Sequence, residues 1–281
     1  MGYLDKYSGR KEREYLQSLG EEEKYAAFNE MIRQSRHIVF FGGAGVSTES
    51  GVPDFRSKNG LYNQHDVQFD AYTPEYLLSN DCLYAHSDVF FEFYRQKMNA
   101  KGIEPNKAHK KLAEMMLKGK LDCIITQNID GLHQKAMDET APDQATADRL
   151  NQFVYEIHGS TLRNYCDTCG AKYPSDYIFK STERVPHCTR DGCHGIIRPD
   201  VTLYGEMLPE RAWRKSEEAC ETADLMIIGG TSLAVYPAAN LVDYFRGSWL
   251  VVINRGATSR TVAADLSFDD SIGKVLSHVE L

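Results

Sequence analysis

The sequence predicts an α/β protein: a Rossmann-like parallel sheet with helices on both faces, plus a smaller lobe. Three observations support this. Apolar runs recur that are continuous rather than alternating, as strands buried on both faces require. Helical patterns lie between them, the alternation from which parallel sheets are built. A glycine-rich turn, Gly42-Gly43-Ala44-Gly45-Val46-Ser47, directly follows the first run, and its small residues would let backbone N–H groups approach a diphosphate. Such a turn is weak evidence alone, because Gly-rich turns also close strand-to-helix corners. The sequel Pro53-Asp54-Phe55-Arg56 strengthens it, since that quartet has no capping or packing logic as a unit.

In chain order, residues 5–36 read as one or two amphipathic helices through Tyr15, Leu16, Leu19, Tyr25, Phe28, Met31 and Ile32, without evident chemistry. Strands are expected over 37–41, 121–125, 225–228 and 249–253, with helices over 106–118 and 209–222. Residues 58–105 are aromatic-rich and helical in character. Residues 163–198 carry clustered cysteines and few core-forming runs. Both read as insertions, one helical and one a zinc ribbon, that together form a small domain. Residues 1–57, 106–162 and 199–281 are left for the large domain. Met137 to Gln152 reads as a polar surface loop or short helix, and no internal repeat is found. Ligands of parallel sheets sit at the carboxyl ends of strands. Polar residues gather there: Gly43 to Ser47, Gln127 to Asp130, Gly229 to Ser232, and Asn254.

At 281 residues and 42% hydrophobic content the chain can build one large domain with inserts, or two domains. A formal net charge of −8 argues against a dedicated nucleic-acid binder. No apolar stretch approaches the roughly 20 residues of a membrane span, and the charged N-terminus is unlike a signal peptide, so a cytoplasmic location is expected. The seven cysteines suit that compartment as metal thiolates better than as disulfides. Cys82, Cys123 and Cys220 stand alone in apolar or helical surroundings and read as buried, inert thiols.

The other four are paired: Cys166-Asp167-Thr168-Cys169 and Cys188-Thr189-Arg190-Asp191-Gly192-Cys193, with 18 residues between the pairs. Two such knuckles wrap one tetrahedral Zn²⁺ through four sulfurs. Four sulfurs leave no water position, so the zinc is expected to be structural. His187 and His194 flank the second pair as less favoured substitutes, and a redox-active CxxC is a weaker reading with a second pair nearby.

Thr126-Gln127-Asn128-Ile129-Asp130-Gly131-Leu132-His133-Gln134 follows a buried strand and is crowded with amides and a carboxylate. Amides both donate and accept, which suits ribose hydroxyls and a carboxamide. Glu156-Ile157-His158-Gly159-Ser160 places a histidine beside glycine just before the cysteine segment. Near neutrality an imidazole can accept a proton. For His109 and His133 a packed, hydrogen-bonded structural histidine is the preferred reading.

With these residues in place, the chain resembles the bacterial-type sirtuins, NAD-dependent protein-lysine deacetylases. The resemblance runs from about residue 30 to 275 in the family's order. It takes in Gly43-Ala44-Gly45-Val46-Ser47, Pro53-Asp54-Phe55-Arg56, Gln127-Asn128-Ile129-Asp130, His158-Gly159, the four cysteines, Arg198-Pro199, Tyr204-Gly205-Glu206, Leu208-Pro209, Gly230-Thr231-Ser232-Leu233, Pro237 and Asn254. It implies that NAD is consumed as a co-substrate: the acyl-lysine carbonyl oxygen attacks the nicotinamide ribose, nicotinamide leaves, and the acyl group ends on ADP-ribose.

By motif match, His158 would be the general base for a ribose hydroxyl, Gln127 would hold ribose hydroxyls, and Asn128 would fix the reacting geometry. Asp130 and the Ile129 backbone would bind the nicotinamide carboxamide. Phe55 would cover the ribose face and Arg56 would face phosphate or ribose. Gly43, Ala44, Gly45, Thr48, Asp54, Thr231, Ser232, Asn254 and Ile272 would complete the co-substrate site. Val201, Tyr204, Gly205, Glu206, Leu233 and Val235 would line a cleft where an acyl-lysine peptide adds as a strand.

The chain departs from the family in three places. Gly42 stands where many members carry Thr, and Tyr204 replaces a Phe. The segment between Gln134 and Glu156 is longer than usual and would protrude beside the active-site cleft. Succinyl-preferring members carry a Tyr-x-x-Arg pair, whose counterparts here are Phe91 and Tyr94, so a receptor for an acidic acyl group is absent and neutral acyl groups are expected. Arg95 is the next residue, about 100° further round a helix. Two other readings compete. An ADP-ribosyltransferase or NAD hydrolase on the same scaffold would give free ADP-ribose or a modified protein as product. A non-catalytic zinc-ribbon module would bind nucleic acid or a partner and no NAD.

Overall fold

A computed structural model describes residues 3–4, 9–55, 57, 60–64, 66–256, 258, 260–261 and 263–281. Helices α1 (Arg10–Gln17) and α2 (Glu21–Gln34) precede β1 (Ile38–Gly42). Next come α3 (Pro74–Leu77), α4 (Asn80–Ala85), α5 (Ser87–Lys97), α6 (Lys107–Leu117), β2 (Cys123–Thr126), α7 (Leu132–Thr140), α8 (Gln144–Asn151) and β3 (Val154–Glu156). The chain continues through β4 (Gly159–Cys166), β5 (Lys172–Tyr173), α9 (Tyr177–Lys180) and β6 (Ile197–Val201). It closes with α10 (Glu210–Thr222), β7 (Leu225–Gly229), β8 (Trp249–Ile253), β9 (Leu266–Phe268) and α11 (Ile272–Ser277).

Among the described residues, six strands form a sheet in the order β3-β2-β1-β7-β8-β9, with every pairing parallel. The continuous apolar runs have the cause the sequence suggests: β1 and β7 are buried along their whole length. Successive side chains point to opposite faces. Ile38, Phe40, Ile124, Leu225, Ile227, Val251 and Ile253 face one core, shared with α2, α6 and α11. Val39, Phe41, Ile125, Met226, Ile228 and Val252 face a second core, closed by Leu241, Val242 and Cys220.

The four expected strands are present, β8 with the expected ends and the other three with an end displaced by one or two residues. His37 stays outside β1 because the Asp224 carboxylate accepts the Arg36 and His37 amides. Edge strands β3 and β9 carry no counterpart in the sequence reading. Three residues each, they are too short to show a buried run.

The leading helices are part of the core. Leu16, Phe28 and Met31 are fully buried, while Arg13 pairs with Asp265 and Gln17 donates to the Ala264 carbonyl beside β9. Residues 137–152 include the short helix offered as one alternative for them, but correct the expectation that the segment protrudes beside the cleft. They finish α7 and form α8, and Met137 and Ala147 are both fully buried. α7 starts at the carboxyl end of the sheet and runs away from it, so α8 lies toward the opposite end and lines no part of the cleft described below.

The two insertions share one core. Strands β5-β4-β6 form an antiparallel sheet, whose Cys166 and Ile197, with Ile178 of α9, pack with Leu77, Leu83, Phe90, Phe91 and Tyr94 of the helical segment. β4 leaves the large sheet one residue after His158, and β6 returns the chain there at Val201. Among the described residues no helix is long and apolar enough to cross a membrane.

Candidate active site

β1 sits at the point where the strand order reverses, with β2 on one side and β7 on the other. A crevice opens outside the carboxyl ends of strands at such a point. Here it is a cleft of about 990 Å³ between the large sheet and the small lobe.

Its floor is made by two turns locked together. The Gly43 amide donates to the Gly229 carbonyl at 3.1 Å, and the Gly45 amide to the Gly230 carbonyl at 2.8 Å. A Cβ on Gly45 would lie 2.6 Å from Gly230 Cα, which explains the glycine physically. Both amides are therefore engaged within the protein. Ala44, Gly45 and Thr48 line the cleft, whereas Gly43 stands behind its wall.

The end of β2 supplies the polar wall. Gln127 donates through Nε2 to Thr231 Oγ1 at 2.9 Å, tying the β2 and β7 turns together. Ser47 is fully buried and is the hub behind that wall. Its Oγ donates to Asp130 Oδ2 at 2.7 Å and accepts from Asn128 Nδ2 at 3.0 Å. His109 Nε2 lies 3.3 Å away, and its Nδ1 accepts the Asn106 amide, so Nε2 carries the proton and also donates to Ser47. Asn106 caps α6 through the Ala108 amide and holds the Val46 carbonyl.

Burial lowers the His109 pKa to about 4, so the ring is neutral. Burial also raises the Asp130 pKa, against hydrogen bonds from the Leu132 amide and Ser47. Asp130 lines a smaller cavity of about 80 Å³ that adjoins the cleft through Ala44, Phe55, Asn128 and Ile129. The sequence reading of His133 as hydrogen-bonded needs correction: it is buried edge-on to His109, and neither ring nitrogen has a hydrogen-bond partner among the described residues.

His158 Nδ1 lies 3.0 Å from the Gln127 carbonyl. A carbonyl only accepts, so Nδ1 carries the proton and Nε2 is the basic nitrogen. Gly159 follows with φ +76°, where a Cβ would come within 2.1 Å of the Asp200 carbonyl oxygen. Only glycine lets β4 pair with β6 immediately after the histidine.

The remaining expected residues divide. Asp54, Phe55, Ile129, Ser232, Val235, Asn254 and Ile272 line the cleft. Phe55 stands edge-on to Tyr62, with ring centres 5.4 Å apart. Asn254 Nδ2 donates to the Arg255 and Gly256 carbonyls, so its carbonyl oxygen is what it offers a hydroxyl. Leu233 is buried in the second core and does not line the cleft. Arg56 lies outside the described residues.

Val201, Tyr204, Gly205 and Glu206 form the lobe-side lip. Tyr204 is held by backbone bonds to Leu78 and Asn80, and its hydroxyl meets that of Tyr62 at 3.0 Å. Glu206 acts as a staple, accepting from Arg198 at 2.6 and 2.9 Å, from the Leu203 amide and from Asn80. Burial opposes its ionisation, yet these donors hold its pKa below the usual range. The sequence reading names Ser47 only as part of the glycine turn and gives it no role. It reads His109 as a packed, hydrogen-bonded histidine, which the geometry bears out: His109 stands in the buried network behind the cleft wall. It lies on a helix whose Asn106-Lys107-Ala108-His109 start has capping-box spacing.

Away from the cleft, the sulfurs of Cys166, Cys169, Cys188 and Cys193 all lie within 4.8 Å of one another. Cys166–Cys193 and Cys169–Cys188 separations are 3.6 and 3.7 Å. Zinc–sulfur bonds of about 2.3 Å at tetrahedral angles give sulfur separations of about 3.8 Å, so the cage fits zinc. Tyr173 donates its hydroxyl to Cys188 Sγ at 3.1 Å and helps lower that thiol's pKa. Cys82, Cys123 and Cys220 are buried, and burial raises their thiol pKa values, as inert thiols require.

Comparison with known proteins agrees with this geometry. A family model described as the Sir2 family matches residues 43–237. An NAD-dependent protein deacetylase of Clostridium acetobutylicum is 48% identical over 257 residues, covering 92% of this chain and 98% of that protein. One from Cutibacterium acnes is 47% identical over 250 residues, covering 89% and 94%. Among solved structures, a Sir2 variant with a deacetylated p53 peptide and 3'-O-acetyl ADP-ribose superposes with a TM-score of 0.76 at 34% identity, over 89% of this chain and 95% of that one. Sir2Tm bound to a propionylated peptide gives 0.73 at 34% identity, over 89% and 94%. With the family model matched over residues 43–237 and relatives 47–48% identical over most of their length, the chain belongs to the Sir2 family.

Proposed function

We propose a division of labour for the cleft of this NAD-dependent protein deacetylase. His158 Nε2 takes a proton from a ribose hydroxyl, because the Gln127 carbonyl fixes the tautomer and orients the ring. Gln127, held by Thr231, presents its amide to ribose hydroxyls. Asn128, held by Ser47, orients the reacting sugar. Asp130 and the Ile129 backbone receive the nicotinamide carboxamide in the smaller cavity, and Phe55 shields the sugar after nicotinamide leaves. Ala44, Gly45, Thr48, Thr231, Ser232, Asn254 and Ile272 hold the rest of NAD. The peptide lies between the Val201–Glu206 lip and Val235, adding as a strand.

NAD supplies the electrophilic sugar carbon and is consumed. The acyl oxygen displaces nicotinamide at the sugar carbon, and the hydroxyl that loses its proton to His158 attacks the acyl carbon. One water is then consumed as lysine leaves, so acyl-ADP-ribose and free lysine are the products. The zinc cage, remote from the cleft, holds the small lobe in shape. Residues 1–57, 106–162 and 199–281 would form the NAD-binding domain, and 58–105 with 163–198 the small one. Cysteines kept as metal thiolates support a cytoplasmic setting.

The observation that carries this reading is the His158–Gln127 contact at the strand end that also bears Asn128 and Asp130. Mass spectrometry of products from an acetyl-lysine peptide and NAD tests it. Acetyl-ADP-ribose is expected, and free ADP-ribose as the first product would replace this reading with NAD hydrolysis.

A further inference from the structure

Two tyrosines from distant parts of the chain meet in the cleft, where the hydroxyls of Tyr62 and Tyr204 share a hydrogen bond at 3.0 Å. Tyr204 belongs to the lip over which the peptide is proposed to lie, and its main chain is fixed to the small lobe. Its amide donates to the Leu78 carbonyl and its carbonyl accepts from the Asn80 amide, both at 3.0 Å. Tyr62 belongs to the segment that carries Phe55. Its amide donates to the Phe55 carbonyl at 2.9 Å, the Leu61 amide donates to the Asp54 carbonyl at 2.7 Å, and the rings of Phe55 and Tyr62 meet edge-on.

Phe55 lines both the main cleft and the smaller cavity that also holds Asp130. A continuous path of contacts therefore runs from the peptide lip, through the two hydroxyls, to the ring at the sugar end. A Phe at position 204, the residue usual in the family, has no hydroxyl to close that path.

We infer that Tyr204 and Tyr62 are positioning residues, whose shared hydrogen bond holds Phe55 over the sugar from the peptide side of the cleft. Phe55 so held keeps water from the sugar carbon once nicotinamide has left. Water that did reach it would displace the acyl oxygen and lose a proton, giving free ADP-ribose and leaving the acyl-lysine intact. This rests on the deacetylase reading and on the role of Phe55 within it.

The test measures KM for NAD, and nicotinamide released per lysine deacetylated, in the wild type, Tyr62→Phe, Tyr204→Phe and the double variant. Each single change should raise KM for NAD about threefold to tenfold, the weight of one neutral hydrogen bond. Nicotinamide per deacetylated lysine should rise above the wild-type value, a change that lowered stability alone would not produce, because the ratio is independent of the fraction folded. The double variant should lie within about twofold of the weaker-binding single variant, since both changes remove the same bond. A rise in KM below threefold in either single variant, an unchanged product ratio, or a double variant beyond that limit overturns the inference. A wild type that makes no acetyl-ADP-ribose would instead sink the deacetylase reading, whatever the variants do.

Discussion

His158 Nδ1 donates to the carbonyl oxygen of Gln127 across 3.0 Å, so the residue proposed to hold the ribose also sets the tautomer of the proposed base. His158→Ala should lower peptide deacetylation about 10²–10⁴-fold, the usual weight of general-base catalysis. Exchange of labelled nicotinamide into NAD precedes any need for the base and should persist. Loss of exchange together with deacetylation would show that the imidazole serves binding instead.

Ser47 joins three groups from two other parts of the chain, Asn128 and Asp130 after β2 and His109 on α6. Ser47→Ala leaves Asn128 Nδ2 and His109 Nε2 without their acceptor in a buried site. A destabilisation of about 1–3 kcal/mol is expected, visible as a lower denaturant midpoint at unchanged slope. Deacetylation should fall about tenfold or more through misplacement of Asn128 and Asp130. An unchanged kcat would remove the network from the chemistry.

The cysteine cage predicts one zinc per chain by atomic emission. Cys169→Ser should lose the metal and melt at a lower temperature. Cobalt substitution should give the absorption of a tetrahedral four-thiolate site. Full thermal stability after complete zinc removal would contradict a structural role.

Stability should fall on acidification. The His109 pKa is about 4 when folded and 6.5 as a free side chain, so between those values the unfolded state binds more protons. Stability then rises with pH across that window, by on the order of 3 kcal/mol at most. His133 is shifted in the same direction by burial, while Asp130 is raised and contributes with the opposite sign from about pH 3.8 upward. Denaturant midpoints from pH 4 to 7 check this. His109→Gln, which keeps a donor for Ser47, should flatten the profile.

The parts legible in the sequence are those encoded locally. Four continuous apolar strands, two cysteine knuckles and the polar residues at strand ends each carry their cause within a few neighbours. The Ser47–Asp130 and Ser47–His109 contacts join residues 83 and 62 positions apart, and no local pattern announces them. The glycine turn was readable as a turn. Its two bonded amides were not, because their acceptors are Gly229 and Gly230, far along the chain. α8 was readable as a short helix, but its place was misjudged because its polar face dominates the composition, while the few buried contacts, Ala147 above all, hold it away from the cleft.

The central claim is that cleavage of NAD is coupled to an acyl acceptor. Counting nicotinamide released against lysines deacetylated, with and without acetyl peptide, tests it most directly. One nicotinamide per deacetylated lysine, and almost none without peptide, is the expected result. Steady nicotinamide release in the absence of peptide would contradict it.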